Sequence, residues 1–358
     1  MRAFGEQAGV VRIDQRVMIF RQGAGLPVLG CTRTVVTVAL VLGILAAPLP
    51  GSGQPAPRAW RIGFLGDGPR AERAAISLEP FRDGLRELNY VENKNIVIEE
   101  RWSEGKSERL RDLATELVRL KVDVIVTHGV RGTKAAQDAT RTIPIVMAVS
   151  PDPVATGLIA SLARPGGNTT GMTDQVAELG EKEIQIIREV VPHTRRVAIL
   201  WNDSNPGARV TFEQTRSAAA KAGLGVTVVT ATSREALEGA VAEAATGRPD
   251  VLVVIHDVLT VSERALVARL ALKHKLPSIC ASTPFVDAGG LVAYAPSLPG
   301  LFKRAAVFVD RIFRGAKPAE IPVEQPTAFQ LRINLKTANA LGLTIPQAVL
   351  ARADEIIQ

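Results

Sequence analysis

Four histidines, His128, His193, His256 and His274, are scattered along the chain. They lack the His-x-x-x-His spacing, and a glutamate at ligand distance, that zinc and iron sites use. No metal and no cofactor is expected. His193 and His274 sit at helix ends, whereas His128 and His256 close apolar runs and so could face a cleft. The glycine-rich stretch at 63–68 (GFLGDG) departs from G-x-G-x-x-G, and no glycine loop is followed by the Lys-Ser/Thr pair of a phosphate cradle. A G-x-S-x-G elbow is missing too. Asp67, Asp152, Asp203 and Asp257 could supply an acid and a base, but the overall inventory suits holding a ligand better than transforming it, and no enzyme is expected.

In parallel α/β proteins the residues just after each strand surround the ligand. Those positions hold Gly66 and Asp67; His128, Gly129, Arg131 and Thr133; Ser150 and Asp152; Asn202, Asp203, Ser204 and Asn205; Thr230 and Thr232; Asp257; Ser282 and Thr283; with Tyr294 at the end of a later run. A helix starting near Gly132 or Thr133 offers free N–H groups to a carboxylate, and Arg131 adds a charge-assisted bond. Asp257 or Asp152 accepts from an ammonium group. Together these describe an α-amino acid or a related acid. The same residue types also cap the helix that follows, which is their commoner use.

The elements that position these residues alternate regularly. Apolar runs at 62–65, 96–98, 122–126 and 143–149 are separated by segments with helical spacing, such as Leu78, Phe81, Leu85 and Leu88, then Leu110, Leu113, Leu117 and Leu120, the latter capped by Ser107. After the loop 163–171 (ARPGGNTTG) the pattern restarts, with a helix at 178–191, runs at 197–201, 226–229, 251–255 and 277–280, and helices between them. A run at 291–294, a helix at 298–314 and a linker at 317–326 follow. The alternation predicts an α/β fold of two Rossmann-like lobes with parallel sheets around a ligand cleft. The expected boundaries are 58–172 for lobe 1, 173–284 for lobe 2, and 285–358 for a segment whose strand and helix return to lobe 1 and for the C-terminal stretch.

At 358 residues the chain exceeds one ordinary domain, and its 4% aromatic content leaves the cores to aliphatic residues. The formal net charge of +7 places +3 in residues 1–57 and +4 over the rest, without a basic stripe or interleaved aromatics, so nucleic acid is not an expected partner. Residues 35–49 form an uncharged apolar run after Arg33 and before a Pro/Gly-rich stretch. This is the layout of an export signal, too short for a spanning helix. Residues 1–57 are therefore expected to be a signal and leader, starting at Met1 or Met18, that sends the chain to the periplasm or an equivalent extracytoplasmic space. Cys31 leaves with this segment, and Cys280, after the apolar 276–279, is expected to be a buried core residue.

The stretches 81–91 (FRDGLRELNYV), 113–126 (LATELVRLKVDVIV), 152–171 (DPVATGLIASLARPGGNTTG), 285–291 (FVDAGGL) and 321–354 (IPVEQPTAFQLRINLKTANALGLTIPQAVLARAD) resemble the tryptophan/tyrosine-type ABC transporter substrate-binding protein family. The resemblance implies a two-lobed fold of the periplasmic binding protein type I kind, an aromatic or related amino-acid ligand and an ABC permease in the inner membrane as partner, with the chain itself a monomer. A ligand sensor for a signalling partner is the alternative, ahead of an enzyme on the same fold. The chain departs from the family pattern at His128, Val130 and Arg131 after Thr127, at Asn202-Asp203-Ser204-Asn205-Pro206, and at Tyr294-Ala295-Pro296.

Overall fold

β-Branched runs bounded by turn residues form strands when helices cover both faces of the sheet. The computed structural model describes residues 59–174 and 179–358. The expected export signal lies outside the described residues. In the first lobe β1 (Trp60–Gly66) leads through the short α1 (Arg70–Arg73) and α2 (Leu78–Glu87) to β2 (Ile96–Trp102). α3 (Leu110–Arg119), β3 (Val124–Thr127), α4 (Gly129–Ala139), β4 (Ile145–Met147) and β5 (Thr169–Gly171) follow. The strands form one parallel sheet in the order β2-β1-β3-β4-β5.

The second lobe begins with α5 (Leu179–Val190), β6 (Arg196–Trp201), α6 (Pro206–Lys221), β7 (Gly225–Thr230), α7 (Arg234–Thr246), β8 (Val251–Val254), α8 (Val258–Ser262), α9 (Arg264–Lys273) and β9 (Ser278–Cys280). It continues through α10 (Pro284–Asp287), β10 (Val292–Ala295), α11 (Leu298–Phe313), β11 (Gln330–Asn334), α12 (Leu335–Ala340), α13 (Gln347–Leu350) and β12 (Glu355–Ile357). Its sheet runs β12-β11-β10-β9-β8-β6-β7, parallel except for the β10–β11 pair. Cys280 is buried in its core. No helix among the described residues is long and apolar enough to cross a membrane.

The late segment divides differently from the expected return of a strand with its helix. β10 stays in the second sheet because Val292 and Ala293 pair with Ile279 and Cys280 of β9. The segment at Ile321 and Val323 lies against the first lobe, the Val323 N–H donating to the Leu162 carbonyl at 2.8 Å, and α11 crosses back ahead of it. The apolar face of α11, with Leu301, Phe302, Ala305, Phe308 and Val309, joins Phe64, Phe81 and Leu85 in the first lobe's core. The chain then returns to the second sheet through β11 and β12.

Two crossing segments run side by side. Met172 bridges Glu324, the Glu324 N–H donates to the Gly171 carbonyl at 3.0 Å, and the Thr173 N–H donates to the Glu324 carbonyl at 3.0 Å. This short ladder lies outside both sheets.

α11 lies so close to α2 that a Cβ on Gly84 would sit 2.3 Å from the Lys303 carbonyl oxygen and 3.0 Å from Ala306 Cβ. Helix propensity favours alanine over glycine by about 1 kcal/mol, but forcing two helices apart costs about 1–3 kcal/mol. Gly84→Ala is therefore expected to lower stability in urea unfolding; a stabilised variant would show that this crossing is not tight.

Candidate functional site

Strand ends from both lobes meet across one gap. Within it lies a cavity of about 50 Å³, lined from the first lobe by Arg73, His128, Gly129, Val130, Val149 and Pro151. The facing side carries Asn205, Gly207, Ala208, Thr211, His256, Asp257 and Val258, with Asp174 from the crossing segment and Leu298 from α11. The lobes approach closely at Gly207, where a Cβ would come within 2.9 Å of Pro151 Cγ and 3.0 Å of Val130 Cγ2. Glycine there lets the walls close.

The second lobe's wall is organised by Asp257, 5% exposed. It caps α8, accepting from the Leu259 N–H at 2.7 Å in a capping box with Thr260. Its carboxylate also accepts from the side-chain amides of Asn202, at 3.2 Å, and Asn205. Asn205 in turn caps α6 by accepting from the Gly207 N–H at 3.0 Å. Capping and lining the cleft are thus one arrangement at these positions, because a helix beginning at a strand's carboxyl end places its cap at the gap.

In the first lobe Gly129, at φ +68°, turns the chain from β3 into α4, so the helix begins three residues earlier than Gly132. Thr133 lies inside the helix and donates back to the Gly129 carbonyl at 2.8 Å. His128 is buried, its Nε2 accepting from the Asp67 N–H at 3.1 Å, with Phe302 of α11 edge-on to the ring at 5.6 Å. The proton of the neutral ring therefore sits on Nδ1. Burial, then the Arg73 charge and then His256, push the His128 pKa well below its ordinary value.

Arg73 closes α1 and is 2% exposed. Its Nε and Nη1 have no hydrogen-bond partner among the described residues, and Nη2 lies 3.5 Å from His128 Nδ1. That contact sets two N–H groups against each other and leaves the guanidinium unsatisfied. Burial lowers its pKa to about 10, opposed by the charges of Asp67 and Asp257, so the side chain remains cationic at neutral pH. Across the gap, Asp174 Oδ2 lies 3.3 Å from His256 Nδ1, while Oδ1 is buried without a partner among the described residues. The cavity therefore holds both an unsatisfied cation and an unsatisfied carboxylate oxygen.

Arg131 reaches across the cleft rim. It donates to the Ser204 carbonyl at 2.6 Å and its hydroxyl at 2.9 Å, and to Ser107 Oγ at 3.1 Å. Ser107, expected as a helix cap, instead donates to Asp67 at 3.0 Å, and Asp67 also accepts from Ser103 at 2.8 Å. Ser204 donates to Asn202 Oδ1 at 2.7 Å, which ties this chain of bonds to Asp257.

The remaining strand-end residues are engaged in other ways. Gly66 accommodates the Trp102 ring, which would lie 2.2 Å from a Cβ. Asp152 closes a turn, accepting from the Ala155 N–H at 2.9 Å. Tyr294 stacks on Phe329 at 5.5 Å against the second lobe's core. Ser150 and Ser282 are buried, and their hydroxyls have no hydrogen-bond partner among the described residues. Arg73 and Asp174 were not among the strand-end candidates: one follows a short helix, the other a lobe crossing. No metal-holding group of three or more His, Cys, Asp or Glu occurs among the described residues.

Two α/β lobes, each built on a mostly parallel sheet and joined by crossing segments around a polar cavity, define a two-lobed ligand-binding protein of the periplasmic binding protein type I class. Residues 74–357 match the model of the ABC transporter substrate binding protein family, and the chain belongs to that family. It is 26% identical over 263 residues to a tyrosine-binding protein of Clostridioides difficile (strain R20291), covering 74% of this chain and 75% of the relative. Among solved structures, a conserved domain protein from Vibrio cholerae O1 biovar El Tor superposes with a TM-score of 0.79 at 27% identity, covering 84% of this chain and 100% of that one. An ABC domain in complex with L-Trp from Streptococcus pneumonia superposes with a TM-score of 0.78 at 26% identity, with the same coverage.

The neutral His128 gives an acid-side prediction. The folded pKa lies below the unfolded value, so the unfolded chain takes up this proton first and stability falls as pH drops through about 6.5. His128→Gln keeps an acceptor for the Asp67 N–H without titrating. Urea unfolding between pH 7 and about 5 should show a shallower loss for this variant; parallel curves would remove His128 as the source.

Proposed function

We propose that this chain is the extracytoplasmic receptor of an ABC importer, which binds an α-amino acid between its lobes and delivers it to a membrane permease as a monomer. The carrying observation is the buried Arg73 guanidinium with two unsatisfied nitrogens, in the same cavity as the unsatisfied Asp174 oxygen. Removing one partner of a buried ion pair costs about 3–5 kcal/mol because it strands a charge, so a ligand carboxylate at Arg73 has a large affinity to gain. Gly129 and Val130, in the first turn of α4, line the cavity beside the N-cap His128; the Gly129 N–H is taken by the Val149 carbonyl at 2.8 Å, so the positive dipole end and the later N–H groups of that turn are what would meet the same anion. Asp174 and Asp257 present the complementary charge to an ammonium group. The tyrosine-binding and L-Trp-bound relatives support an amino acid as the ligand class.

On this reading the protein binds without catalysis. The hinge of paired crossing segments lets the lobes part for entry, and the Arg131 contacts hold them together afterwards.

Calorimetry with a panel of amino acids should find micromolar or tighter binding, on the order of −8 kcal/mol. Arg73→Gln should weaken it by about 100-fold or more, equivalent to about 3 kcal/mol. The same variant should leave the thermal midpoint of the ligand-free protein unchanged or raised, since it removes an uncompensated buried charge. A variant that lost stability and kept its affinity would make Arg73 a structural residue and remove the basis for this reading.

A further inference from the structure

α8 divides its side chains between the lobes. Val258 lines the cavity, and Leu259 packs against the second lobe's core cluster, to which β6, β8 and α9 contribute. Val261 lies two residues further on, about 200° round the helix axis, and faces the first lobe. It is 1% exposed and joins the core cluster of Phe64, Phe81, Leu298 and Phe302. Among the described residues of that cluster, it is the one supplied by the chain between β6 and β10. The contact extends to the loop after β1, where a Cβ on Gly68 would sit 3.1 Å from Val258 Cγ1 and 3.2 Å from Ser262 Oγ.

The same helix carries part of the cavity wall. Its N-cap is Asp257, whose carboxylate accepts from the Leu259 N–H at 2.7 Å and from the side-chain amides of Asn202 and Asn205. α8 therefore cannot shift without moving Asp257 and Val258. Parting of the lobes draws Val261 out of apolar surroundings into water, a loss that grows with the apolar area uncovered. The rim bonds of Arg131 differ in kind, because water can replace them at a half-buried position.

We propose that Val261 is a positioning residue of this binding site: its insertion into the first lobe makes α8 a clasp that seats Asp257 and Val258 against the wall carrying Arg73. Val261 does not itself line the cavity, so it acts on a ligand through the seat of α8. The clasp rests on packing and holds whichever ligand occupies the cleft; only its test by amino-acid binding depends on the reading above.

Two faces of one helix supply the variant and its control. In small-angle X-ray scattering of the full chain without added ligand, Val261→Ala should raise the radius of gyration above wild type, as the lobes part more often. In calorimetry with L-tyrosine, L-tryptophan, L-leucine and L-glutamate, it should weaken whichever binds wild type most tightly by about tenfold, because the binding-competent closed form is less populated. Leu259→Ala removes a larger apolar group from the face turned to the second lobe. It should lower the thermal midpoint while leaving the radius unchanged and the affinity within about threefold. Val261→Thr keeps the volume and sets a hydroxyl against the same apolar cluster, so it should repeat both effects of Val261→Ala should that truncation unfold the chain. Equal radii for wild type and the Val261 variants overturn the clasp. Equal losses of affinity in the Val261 variants and Leu259→Ala make Val261 an ordinary core residue and overturn its positioning role. Absence of binding by all four amino acids to wild type removes the amino-acid reading, and the scattering comparison still decides the clasp.

Discussion

A guanidinium withdrawn from water and left without a carboxylate partner is the constraint around which this cleft is arranged. Desolvating such a charge costs several kcal/mol even after the surroundings relax. Asp67 and Asp257 offset part of it at a distance, each held in place by hydrogen bonds of its own. Asp67 is pinned by Ser103 and Ser107, and Asp257 by two asparagine amides and the first turn of α8. The carboxylates nearest the cation are thereby committed to their own lobes and do not close on it. A site that neutralised itself would have no affinity left for an anion.

If, as proposed, a ligand enters by parting of the lobes, the packing leaves few places for that motion. α11 belongs to the first lobe by its apolar face and to the second by its chain connections, so it transmits position between them. Phe302 of this helix lies edge-on to His128, and Leu298 and Leu301 wall the cavity. A change in how α11 rests on α2 therefore reaches the ligand directly. The compliant elements are the paired segments near Met172 and Glu324, whose ladder is short and is not part of either sheet.

Much of this was legible in the residue order, for a physical reason. A parallel strand buried on both faces must be an apolar run, and the polar residue that ends it must stand at the sheet's edge; this rule named His128, Asn205 and Asp257, which line the cavity. It missed Arg73 because the loop after β1 extends through a short helix before reaching the cleft. It missed Asp174 because that residue lies on a crossing between lobes, where no periodic pattern marks direction. Tyr294 packs away from this cavity because strand ends carry two faces: Val292 and Tyr294, two residues apart, both turn toward the second lobe's core. The sheet that β10 would join was equally hidden, since a strand's partner is chosen by pairing with β9 and not by its own composition.

Arg131 shows why a side chain's type does not fix its use. From position alone it is an anion ligand at a helix start, and electrostatically it remains suited to that role. Its long stem carries the guanidinium out to the rim, where a carbonyl and two hydroxyls satisfy it more fully than any group satisfies Arg73. The two arginines thereby divide the work of a closing cleft. One is half-buried at the rim, where water can replace its charge-assisted hydrogen bonds to Ser204, so on the proposed reading it would hold a closed form without locking it. The other is buried, and on the proposed reading its unmet demand would make closure worthwhile only around an anion. On that reading, exchanging their environments would leave a cleft that closes without regard to ligand, and the difference in burial between the two would couple closure to capture.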